Sequence, residues 1–217
     1  MEGAAQLGII VLIVLLVGLW MFFNYHRLPD YNANNPAKQE LADNLTKMRR
    51  LWTEQNYLTR MSVVEGITGY TGAGITTERL LGNVQQLGRN LANLYGQVSG
   101  DQYADLLRDR INSINTIIAQ ARQHKDIAGE VAKLKDNSNA LIDFLVRLNP
   151  RLSRDKLQTL FDAQADSLVK KIVHTVKSEC VASMTAFDTF NKTTQDLLDY
   201  IEDNTWEHII GQGPRYL

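Results

Sequence analysis

Apolar side chains recur every three or four residues along most of this chain, and one unbroken apolar block precedes them. The block runs from Leu7 to Phe23 without a charge. With Ala4 and Ala5 it reaches about 20 residues interrupted only by Gln6, or ~30 Å of helix, the thickness of a hydrocarbon core. Trp20, Phe22, Phe23 and Tyr25 crowd its end, and His26 and Arg27 follow, as where a helix leaves lipid for headgroups. This predicts a single transmembrane anchor over residues 1–27, with residues 4–23 against lipid. A cleaved signal peptide would need a positive start and a small-residue cleavage site, whereas Glu2 precedes this run and bulky aromatics end it. Arg27, Lys38, Lys47, Arg49 and Arg50 lie only on the C-terminal side, which places the rest of the chain in the cytosol. The sequons at Asn44 and Asn191 would matter only in the opposite orientation.

Residues 28–35, with Pro29 and several asparagines, read as a linker, and residues 36–217 as one helical domain. Asn35-Pro36 is a cap followed by proline at the first helical position. It opens a helix striped by Leu41, Leu45, Met48 and Trp52, which the run Gly69 to Gly74 breaks. Thr76 or Thr77 is the expected cap of a second helix striped by Leu80, Val84, Leu87, Leu91 and Leu94. A turn over Gly96 to Gly100 leads to a third, with Leu107, Ile111, Ile114 and Ile118. A fourth spans about Gly129 to Leu148, and Ser153 caps a fifth carrying Leu157, Phe161, Leu168 and Ile172. Helical spacing continues to about Ile210, with a break expected near Lys177 to Ser183. Short connections and heptad-wide stripes define an all-α fold, an antiparallel bundle of five to six helices.

A shift of 54 residues superposes part of this pattern on itself. Asn83 falls on Asn137, Leu87 on Leu141, Leu91 on Leu145, Leu107 on Phe161 and Ile118 on Ile172. Helices two and three then form one hairpin and helices four and five a second, with the first and last helices filling the remaining sides.

Charge and chemistry narrow the function. All 23 Lys and Arg lie after residue 26, and 23 acidic residues balance them once Glu2 is set aside. There is no basic excess for a phosphate backbone, so nucleic acid is not an expected partner. Cys180, the only cysteine, reads as a small buried hydrophobe among Val173, Val176, Val181 and Met184. His26, His124, His174 and His208 are scattered without metal-ligand spacing, and no phosphate loop or nucleophile elbow occurs. No enzyme activity, metal or cofactor is expected. Polar residues riding on apolar stripes are more informative: Gln55 follows Trp52, Arg110 follows Leu106 and Gln164 follows Leu160. Together with Arg60 they are the candidates for a hydrogen-bonded core network or a lined cleft, since a buried polar group costs energy unless satisfied. The competing reading is that they sit at stripe edges and reach water.

Leu51-Trp52 through Thr59-Arg60, Arg79 through Asn83, Leu94-Tyr95-Gly96, Leu106-Leu107, Asn139-Ala140, Phe144-Leu145, Asn149-Pro150 and Gly211-Gln212-x-Pro214 stand in a telling order. It resembles that of an uncharacterised family of small helical-bundle proteins from spore-forming bacilli, with similar domains in some large DNA viruses. The resemblance covers Leu51 to Leu217 and implies the bundle fold rather than an activity. The bacterial pattern has a histidine after the Leu-Trp pair and one in each Leu-Leu helix, where this chain has Gln55, Arg110 and Gln164. If those histidines bind metal or move protons, this chain has lost that capacity, because neither amide nor guanidinium replaces imidazole.

The expected function is that of a membrane-anchored, non-enzymatic bundle with a structural or protein-binding role. A bundle that binds a small molecule or metal is the alternative. The resemblance implies the membrane of a large virus as the setting. If Leu7 to Phe23 spans a bilayer, the full-length protein resists alkaline carbonate extraction while a chain starting at Asn35 is soluble. Release of the full-length protein by carbonate contradicts the anchor.

Overall fold

Proline at a first helical turn costs no hydrogen bond, and Pro36 starts α1 (Pro36–Thr68), whose 33 residues span ~50 Å. The computed structural model describes residues 35–211, so the predicted anchor, most of the linker and residues 212–217 lie outside the described residues. Among those described, all regular structure is helical, and no helix is long and apolar enough to cross a membrane. After α1 come α2 (Ala73–Tyr95), α3 (Gln97–Arg122), α4 (Ala128–Leu148), α5 (Arg154–Val176) and α6 (Cys180–Gly211).

Two boundaries differ from the sequence expectation. The second helix begins at Ala73, capped by Gly72, and Thr76 is buried inside it rather than capping it. The turn before α3 is Gly96 alone (φ 84°), so Gly100 lies within the helix. Its role there is contact. A Cβ on Gly100 would stand 2.5 Å from the Gly88 carbonyl oxygen and 2.7 Å from Ala92 Cβ, and one on Gly88 would stand 2.7 Å from the Gly100 oxygen. The α2–α3 hairpin is therefore as close as backbones allow. Elsewhere the expected signals act as read. Ser153 Oγ accepts from the Lys156 N–H at 3.4 Å, and Asn149-Pro150 ends α4.

The repetition extends further than two hairpins. Met48, Trp52, Gln55 and Thr59 on α1 match Tyr103, Leu107, Arg110 and Ile114 on α3, and Leu157, Phe161, Gln164 and Leu168 on α5; all twelve are buried. The even helices match likewise, with Leu80, Val84 and Leu87 against Leu134, Ser138 and Leu141 and against Phe190, Thr194 and Leu197. Just past each odd helix one residue turns left-handed: Gly69 (φ 74°), His124 (φ 54°) and Ser178 (φ 57°). Buried positions thus correspond across three successive pairs of helices, the first and last helices included. Asn83 and Asn137 show the equivalence in detail. Each donates its Nδ2–H to the carbonyl of an odd helix, Leu51 O at 3.1 Å and Leu106 O at 2.9 Å.

The ring closes between α6 and α1. Arg49 donates to Glu202 Oε2 (2.5 Å), Asp199 Oδ1 (2.6 Å) and Gln195 Oε1 (3.3 Å), and Asn56 Nδ2 donates to Asn191 Oδ1 at 3.2 Å. Inside lie two apolar clusters, one around Trp52, Leu87, Leu107, Leu141, Phe161 and Leu197, the other around Val63, Ile117, Leu134, Leu168 and Phe190.

Because backbone, not a flexible side chain, occupies the space beside Gly100, Gly100→Ala must spread α2 from α3. We expect a loss of about 1–3 kcal/mol in urea unfolding. The change Gly82→Ala, where nothing lies within 4 Å, should be neutral or mildly stabilising through helix propensity.

Candidate functional site

The boundary between the two apolar clusters is polar. Helical spacing brings Arg110 of α3, Ser138 of α4, Gln164 of α5 and Thr194 of α6 to one level, and all four are buried. Arg110 Nη1 donates to Ser138 Oγ at 2.8 Å, and Nη2 donates to Gln164 Oε1 at 2.8 Å. Gln164 Nε2 in turn donates to Thr194 Oγ1 at 2.7 Å. The two hydroxyls close the chain by donating to carbonyls of their own helices, Leu134 O at 3.0 Å and Phe190 O at 2.9 Å. The guanidinium also lies over the Phe161 ring, 5.8 Å from its centre.

Arg110 is only 5% exposed, and no carboxylate pairs with it among the described residues. Burial pushes its pKa down to about 10, with nearby Tyr103 opposing the fall, so it remains charged at neutral pH. Tyr103 is itself held above the ordinary phenol range by burial, while its oxygen accepts from Trp52 Nε1–H at 3.1 Å. Of the groups near it in sequence and along the stripes, only some serve Arg110. The amide of Gln164 serves, whereas Glu54 turns to Asn83 at 3.3 Å and Arg79 at 3.7 Å.

Of the four candidate residues, the structure brings together two. Gln55 occupies the matching place on α1, but its Oε1 is buried without a hydrogen-bond partner. The first pair also has Val84 at the position equivalent to Ser138 and Thr194, so it lacks the hydroxyl that accepts from Arg110 and from Gln164 in the other two. Arg60 is not part of the layer. It is exposed, with its guanidinium 4.8 Å from the Phe187 ring centre.

Near Arg60 lies a buried cation that sequence reasoning missed. Lys171 Nζ donates to Ser183 Oγ at 2.6 Å and Thr175 Oγ1 at 3.2 Å. Its pKa is lowered by burial first and by the Arg60 charge second. The signal was available, since Lys171 continues the stripe of Gln164 and Leu168 at i+7 and i+3. Cys180 corrects another expectation, being exposed at the start of α6. The chain breaks over residues 177–179, so helical spacing does not carry across from Val173 and Val176.

The outer surface bears one aligned apolar strip. Tyr57 (52% exposed), Met61 (45%) and Val64 (39%) share a face of α1 with Arg60 and, with Glu65, line a shallow concavity. Tyr57 touches Phe187 of α6, their ring centres 6.2 Å apart. Met184 (56% exposed) continues the α6 line that faces α1 through Asn191 and Phe187, and Val181 (80%) lies about one turn before it. Among the described residues no group of three or more His, Cys, Asp or Glu is placed to hold a metal ion. Compared with family models, with curated proteins and with solved structures, the chain matches none.

The polar layer generates a sharp test. Arg110→Met removes a charge whose burial is costly but orphans Gln164 Oε1, and the orphan outweighs the relief because the amide cannot reach water. We expect a loss of about 1–3 kcal/mol. Adding Gln164→Leu removes the orphan, so the double variant should lie within about 1 kcal/mol of the single one rather than at the sum. Additive losses in chemical denaturation would show that the two residues do not act as one network.

Proposed function

We propose that this bundle is a non-enzymatic structural or interaction module, held at a membrane by the segment Leu7 to Phe23 and offering its α1–α6 face to a protein partner. The observation that carries the reading is the strip of Tyr57, Met61, Val64, Met184 and Val181. Singly exposed apolar residues are ordinary on any surface, but aligned on two adjoining helices they make a patch, and such patches mark interaction sites. Methionines at its middle suit a surface that adapts to its partner. Arg60, stacked on Phe187 within the strip, adds a charge that fixes orientation.

The strip begins 21 residues along α1 from Pro36, ~30 Å at helical rise, so a partner meets the bundle well away from where the anchor segment joins. The resemblance to viral domains suggests the membrane of a large virus, or one on which it assembles, as the setting. A ligand cleft built from Gln55, Arg60, Arg110 and Gln164 has less support. Arg110 and Gln164 are turned towards each other, and Arg60 lies at the surface.

A photo-crosslinking residue at Met61 or Met184 of the full-length protein in its native membrane should give a discrete protein adduct. The same residue at Gln86, exposed on α2, should not. Adducts at all three positions, or at none, would sink the assignment of this face.

A further inference from the structure

Where α2 and α4 end, a cavity of about 40 Å³ remains inside the bundle. Its walls are mostly leucine and aromatic, with Met48, Trp52, Tyr103 and Leu145 among them, and they include Asn149 and Glu202. Most polar atoms around it have partners. Trp52 donates to Tyr103, and the Thr205 side chain tempers the rise that burial gives the Tyr95 pKa. Glu202 Oε2 takes Arg49, and Asn149 Oδ1 accepts the Arg151 N–H at 3.0 Å.

Two atoms are left over. Asn149 is 1% exposed, and its Nδ2 is the one buried side-chain donor without an acceptor among the described residues. Glu202 Oε1 is a buried acceptor without a donor. A buried donor and a buried acceptor on residues lining one largely apolar cavity call for an occupant that satisfies both, since an unmet buried polar group keeps its full desolvation cost.

The occupant's chemistry follows by elimination. An ammonium would suit Glu202 but leave the Asn149 N–H unmet, and it would bring a second cation beside Arg49. A carboxylate would suit Asn149 but oppose Glu202. An uncharged hydroxyl both accepts and donates. The free volume holds about three waters, or a hydroxyl and a few methylenes, before any side chain moves. The apolar walls favour the methylenes.

We propose that this cavity is a binding site for an alkyl alcohol, either a small free one or the hydroxyl-bearing end of a longer chain, whose oxygen accepts from Asn149 Nδ2–H and whose hydrogen is donated to Glu202 Oε1. The site is separate from the polar layer and from the exposed strip of Tyr57, Met61 and Val64, so it stands or falls independently of the proposed docking face.

The full-length protein, labelled with ¹³C at its methionine methyls, provides the test. Met48 lines the cavity, while Met61 and Met184 are exposed and serve as internal references. Titration with 1-butanol should move the Met48 signal saturably and leave Met61 and Met184 in place. The apolar analogue 1-chlorobutane should bind at least about ten-fold more weakly, having neither the neutral hydrogen bond to Asn149 nor the stronger one to the Glu202 carboxylate. A smaller loss, about five-fold, should follow from Asn149→Asp, which keeps the oxygen that caps Arg151 and removes the N–H donor. Saturation by 1-butanol alone assigns the site to a small alcohol, and saturation by 1-dodecanol as well assigns it to the end of a lipid-like chain. No saturable Met48 shift with either alcohol means the cavity holds water only and overturns the proposal. So does equal binding of butanol and chlorobutane, a comparison that needs no variant to fold.

Discussion

A guanidinium buried without a carboxylate must find neutral acceptors at fixed points, and that demand organises this bundle. Arg110 obtains them from α4 and α5, and Gln164 passes the connection to α6. The layer lies between two apolar clusters that would tolerate small sliding by themselves, because leucine and isoleucine surfaces are interchangeable in register. A hydrogen-bonded layer does not tolerate it. Moving α4 or α5 by one turn would leave charged donors facing hydrocarbon, at a cost far above that of a repacked methyl group. The apolar clusters supply most of the stability, and the polar layer selects which alignment is stable.

The threefold repetition gives that layer its geometry. Each odd helix brings one polar residue to the same level, and each even helix brings a side chain to meet it. In the second and third pairs the meeting residue is Ser138 or Thr194; in the first it is Val84. The layer is thus complete on one side of the bundle and open at Gln55, whose buried oxygen has nothing to accept. Cation, amide and hydroxyls at equivalent places form a set that works only by contact between neighbouring repeats.

Much of this is legible in the amino-acid sequence. Stripes at three and four residues gave the helices, and Pro36, Ser153 and Asn149-Pro150 marked ends because their chemistry is local. Arg110 and Gln164 stood out because polar residues on apolar stripes demand partners, and the 54-residue shift already related them. What stayed hidden depends on distance in space. Gly100 next to Gly96 looks like a wide turn, and only the approach of Gly88 shows that the helix needs a missing Cβ there. Cys180 looked buried because the spacing was carried through a break. The third repeat was obscured because its even helix is longer and its residues shift by two against the frame that suits the others.

The closure of α6 onto α1 carries a kinetic consequence. Within each hairpin, contacts join residues close in sequence, and such contacts form early because little chain must be ordered to make them. The bonds of Arg49 to Glu202 and of Asn56 to Asn191 join residues 153 and 135 positions apart. They belong to the last event of folding, when a linear array of helix pairs becomes a ring. The same seam is then the natural place for the ring to reopen, so amide protons of α1 and α6 facing it exchange through a partial opening while the Gly88–Gly100 hairpin stays shut. A partner gripping both sides of that seam would act as a clasp, slowing the molecule's opening without adding a contact inside it.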